Sequence, residues 1–67
     1  MNNREQFLQK LTALLKLAGA NIKDIVVVDD THVAIIFSDG SVRRVYVEDC
    51  NDIEVISAIV HIVIYEG

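Results

Sequence analysis

At 67 residues the chain has room for one domain, spanning 1–67, and a single core of that size leaves only about 3 to 5 kcal/mol of net stability. Ten acids against six bases give a net charge of −4, which speaks against gripping nucleic acid by its phosphates and against docking on an anionic membrane. With one cysteine, Cys50, no disulfide forms within a monomer, so a hydrophobic fraction of 52% points to oligomerisation as the added source of stability.

The first residues, Met1-Asn2-Asn3-Arg4-Glu5, lack the apolar core and cleavage site of a signal peptide, and a lone thiol suits a reducing compartment. A cytoplasmic location is therefore expected. Asn3 with Gln6 forms a capping-box pattern, and Phe7, Leu8, Leu11, Leu14, Leu15 and Ala18 then recur with helical period on one face. Gln9, Thr12 and Lys16 take the other face. Gly19 stands where a helix ends in a left-handed residue, and Ala20-Asn21 makes a short connection.

From Ile22 to Val28 the run is β-branched and continuous, as in a strand buried on both faces, and Asp29-Asp30-Thr31 is a turn. A second strand runs from Val33 to Phe37 and a third from Val42 to Val47, joined through Ser38-Asp39-Gly40-Ser41, a hairpin signal. A two-residue loop at Asp39-Gly40 would place Val33, Ile35 and Phe37 beside Val42, Arg44 and Tyr46. A three-residue loop with a bulge would exchange the third strand's two sets. The first register is preferred because it gathers the larger apolar side chains on one side. In either register both faces are substantially apolar, so the second face is expected to be covered by the other helix or by a partner.

The most apolar stretch is the last. Its polar residues, Glu54, Ser57 and His61, fall on one helical stripe extended by Ala58 and Tyr65, while Ile and Val residues from Ile53 to Ile64 fill an arc of roughly 200°. This predicts a helix with more apolar surface than a three-stranded sheet covers. It is too short to span a bilayer, which takes about 20 residues. Asn51 with Glu54 forms a second capping box, and acids in the first turn suit the positive end of the helix dipole. The fold class expected is α+β in the order αβββα: a three-stranded antiparallel meander with an amphipathic helix at each end.

Few residues suggest chemistry. Val28-Asp29-Asp30-Thr31 resembles the strand-end acids of phosphate-transferring α/β enzymes, but the chain turns directly into another strand, which favours turn-forming aspartates. His32 and His61, even with Cys50 or Asp49, have no spacing that makes a metal site, and Cys50 with a histidine lacks an orienting third group for hydrolysis. No catalytic residue, metal or cofactor is therefore expected. Arg43-Arg44 is the one concentrated positive feature; its stems cover apolar surface, or one guanidinium grips a carboxylate or phosphate. The acids at Asp29-Asp30 and from Glu48 to Glu54 could together imitate a row of phosphates, as small acidic inhibitors of phages and mobile elements do.

The function expected is a non-enzymatic protein-interaction module of inhibitor or adaptor type, acting as a homodimer with a further protein partner and binding neither nucleic acid nor membrane. The last helix, the second sheet face, or both form the interface, through Val55, Ile59, Ile62, Val63, Ile36 and Val45. Two alternatives stand beside it: a homodimeric binder of a small anionic ligand such as a nucleotide, held by Arg43 or Arg44, and an acidic mimic of nucleic acid.

Overall fold

The structure, a computed structural model, describes residues 3–66. The side chains of Asn3 and Glu66 lie outside that description, and with Asn3 goes the expected cap on Gln6. The chain forms α1 (Asn3–Leu17), β1 (Ile22–Val27), β2 (His32–Phe37), β3 (Val42–Tyr46) and α2 (Asp52–Glu66). The strands make one antiparallel sheet in the order β1-β2-β3, so the fold is αβββα. No helix of the described residues is long and apolar enough to cross a membrane.

Both helices pack on the same face of the sheet. The core joins Leu8 and Leu11 of α1, and Val55, Ile59 and Val63 of α2, to strand residues that the register places on one side. On β2 these are Val33, Ile35 and Phe37, and on the third strand Val45 and the following Val47. On β1 they are Ile22 and Ile25, whose odd spacing would normally point them to opposite faces. A bulge between Ile22 and Asp24 absorbs the extra residue and turns both inward.

Local chemistry sets the boundaries. α1 ends in a pair of backbone bonds, Gly19 N–H to Lys16 C=O at 3.0 Å and Ala20 N–H to Leu15 C=O at 2.9 Å, closed over Gly19 at φ 93°. α2 begins with the expected reciprocal cap: the Asn51 amide donates to Glu54 Oε1 at 3.0 Å, and the Glu54 amide to Asn51 Oδ1 at 2.9 Å.

Three expectations are corrected. The hairpin loop has three residues, because Phe37 N–H donates to Ser41 C=O at 2.8 Å and Ile36 pairs with Val42. Asp39 organises this loop by accepting from the Ser41 amide at 2.9 Å and the Ser41 hydroxyl at 2.7 Å, and Gly40 supplies φ 92°. The side chains of β3 therefore exchange faces: Val45 turns to the helices, while Val42, Arg44 and Tyr46 turn away. In α1 the buried stripe is rotated from the expected one, since Thr12 is buried whereas Leu14 and Ala18 are exposed. The Thr12 hydroxyl donates to the Leu8 carbonyl at 2.8 Å, which lets a polar residue enter the core with its hydrogen bond made. Finally, β1 is an edge strand with Val26 and Val28 exposed, not a strand buried on both faces.

Candidate functional site

Because both helices cover one face, the other face of the sheet has no layer over it among the described residues. Its side chains form three rows across the strands. Asp24, Ile36 and Val42 lie nearest the 38–41 loop, and Val26, Ala34 and Arg44 cross the middle. Val28, His32 and Tyr46 form the far row, where the Val28 amide donates to the His32 carbonyl at 3.0 Å. Ala34, hemmed in by its neighbours, is 5% exposed, while Val42 is 58% and Tyr46 61% exposed. A small residue at the centre with larger apolar ones around it makes a shallow, self-supporting surface rather than a cavity.

The far row is held by a hydrogen-bonded chain. Asp29 Oδ1 accepts from the Thr31 amide, the Thr31 hydroxyl and the His32 amide, each at 2.8 Å. The hydroxyl's one proton is spent on Asp29, so His32 Nδ1 donates to Thr31 Oγ1 at 2.7 Å. The imidazole then meets the Tyr46 ring edge to face at 5.3 Å, and the Tyr46 hydroxyl donates to Glu48. The Thr31 amide and hydroxyl, with the His32 contacts behind them, hold the Asp29 carboxyl down at about 2. Donation to Glu48 favours the protonated phenol and pushes Tyr46 up. These bonds fix a turn and a row of side chains, and on the other side of the turn Asp29 and Asp30 line a shallow pocket of about 290 Å³ with Arg4 and Val27.

A second apolar surface lies on the helices. Leu14 and Leu17 of α1 and Ile53, Ile64 and Tyr65 of α2 are all more than half exposed, Leu17 at 87%. Between the helix ends runs a groove of about 410 Å³ lined by Leu15, Ala18, Val60, Val63 and Ile64.

The residues expected to matter are distributed unevenly over these surfaces. Val45, Val55, Ile59 and Val63, expected at an interface, are spent in the core of the single chain, and Ile62 is partly buried against it. Only Ile36 of that set lies on the open face. Arg43 and Arg44 occupy opposite faces of β3, Arg43 opposite Ile35 and Arg44 opposite Ala34, so they do not converge. His32 is on the open face and His61 on a helix that packs on the other, so the sheet separates them. Among the described residues no three of His, Cys, Asp or Glu stand together as metal ligands. Cys50 is partly buried against the core, and its carbonyl accepts from Arg4 Nη2 at 3.4 Å. The two acid runs do meet: the Val47 amide donates to the Thr31 carbonyl at 2.7 Å, which brings Asp29-Asp30 beside Glu48-Asp49.

Val26, Val28, Val42 and Tyr46 were not foreseen as surface residues of one face. The signal that would have found Val42 and Tyr46 is the serine two positions after Asp39, because its amide and hydroxyl together favour the three-residue loop. Comparison with family models, curated proteins and solved structures finds no match to the chain.

Proposed function

We propose that the chain is a non-enzymatic protein-interaction module of inhibitor or adaptor type, working in the cytoplasm as a homodimer that occupies a partner protein's surface. What supports this reading is that a completed core still leaves two separate apolar surfaces, the open sheet face and the outer side of the helices with its groove. One serves a second copy of the chain and the other remains available to the partner. The anionic-ligand alternative would rest on one arginine repeated by symmetry, since Arg43 and Arg44 lie on opposite faces of β3. The acidic-mimic alternative gains one observation, the meeting of the two acid runs at one end of the sheet.

Native mass spectrometry of the protein isolated from its host tests the reading. The expected result is a species holding two copies of the chain and a second polypeptide, the latter lost when Ile64→Lys places a charge beside the groove. A retained small anionic molecule that is lost in Arg44→Ala would overturn it in favour of a ligand binder. Inhibition of a nucleic-acid-binding protein that fades steeply with salt would favour the mimic.

A further inference from the structure

We infer that the open face of the sheet is closed by the same face of a second copy, turned about a two-fold axis that runs along β2. The inference rests on the reading of the chain as a self-associating module and specifies the surface and the pairing. A symmetric interface must be complementary to itself, so each feature on one side of the axis needs its counterpart on the other. An axis along β2 lays β1 of each copy over β3 of the other, row upon row. Tyr46 then covers the partner's Val28, Ile36 meets the partner's Ile36, and Ala34 at the centre lets the two sheets approach to about 10 Å.

Charge selects this axis. Arg44 is exposed and has no ion pair among the described residues, and it stands on β3. Asp24 stands one row away on β1, the opposite edge of the sheet. Its Oδ1 accepts from the Ile25 amide at 2.8 Å, and it lines the groove between α1 and β1 with Lys16 and Lys23, so it is met at the rim of the sheet. The two-fold brings Arg44 of each copy within reach of the partner's Asp24, giving two equivalent ion pairs at the rim. An axis across the strands would instead stack Arg44 on the partner's Arg44. The arrangement also brings the exposed acidic ends of the two copies to the same side, a repulsion that solvent and salt screen as they screen the rim pairs, so the charges set orientation and do not supply the affinity.

The molecule measures 27 × 19 × 18 Å, so its whole broad side is about 500 Å² and a pair closed over the open face buries at most on the order of 1,000 Å². That is the lower limit for a specific interface. The apolar rows supply the affinity and the ion pairs set the orientation.

The test is sedimentation equilibrium on the intact chain and four variants, with circular dichroism confirming that each is folded. Ala34→Arg is expected to weaken the dimer more than a hundredfold. Asp24→Arg and Arg44→Asp are each expected to weaken it about tenfold by setting like charges together. The double reversal carrying both changes is expected to recover the wild-type affinity. A dimer that tolerates Ala34→Arg and both single reversals would overturn the assigned face while leaving self-association intact. Loss in Arg44→Asp that Asp24→Arg does not rescue would overturn the axis. A wild-type chain that sediments as one copy at every concentration would remove both the inference and the homodimer in the proposed function.

Discussion

The two faces of the sheet are built from the same strands, yet they live in different surroundings. On β2, Val33, Ile35 and Phe37 are buried under two helices, while His32 and Ile36 on the reverse side remain partly exposed and Ala34 is shielded only by its neighbours. Both faces are apolar enough to want cover, but the chain has residues for one layer of helices only. The difference teaches that alternation along a strand divides residues into two sets without saying which set the rest of the chain will serve. In so short a chain the unserved set becomes the outward surface.

Substitutions at adjacent positions of β2 sharpen this contrast most. Ile35→Ala removes a fully buried side chain and is expected to cost about 2 to 5 kcal/mol, which matches the whole stability available to a domain of this size. Ile36→Ala, one residue along, is expected to cost less than about 1 kcal/mol in the dissociated chain and to act on association instead. Denaturant titrations below the dissociation constant check both, and equal losses would break the contrast. On the covered side, Asn51→Ala deletes the cap of α2 and is expected to lower stability by about 1 kcal/mol.

The smallest effect belongs to the exposed end of the open face. Asp29 is held at about 2 against an ordinary value of 3.8, so between those values the folded chain binds fewer protons than the unfolded one. Its contribution is complete above the ordinary value and is lost as pH falls toward 2. Asp29→Asn should therefore be less stable than wild type at pH 6, with the gap closing toward pH 2. A gap unchanged across that range would assign the loss to turn geometry rather than to the carboxylate's charge.

Much of the fold was legible in the sequence because its signals are local. Gly19, the Asn51 and Glu54 pair, and the polar stripe of α2 each report on a few neighbouring residues, and each stands where its chemistry demands. What escaped depends on longer-range choices. The hairpin register turned on one extra loop residue, which side-chain size alone could not decide and which Asp39 and Ser41 settle by hydrogen bonding. The rotation of α1 escaped because Thr12 reads as polar, although its hydroxyl is satisfied within its own helix. The expected interface divides along the same lines: Val45 follows the hairpin register to the covered face, Val55, Ile59 and Val63 lie on the side of α2 that a small chain draws into its core, and Ile36 stands on the open face.

The most direct measurement is isotope-filtered nuclear magnetic resonance on a mixture of labelled and unlabelled chains, which records only contacts between copies. Transfer from the Tyr46 ring to Val28 methyl groups, and between Ile36 methyls across the axis, is the predicted result. Transfer confined to Leu17, Ile53 or Ile64 would contradict it, because the helices and not the open sheet would then be the surface on which the chain meets itself.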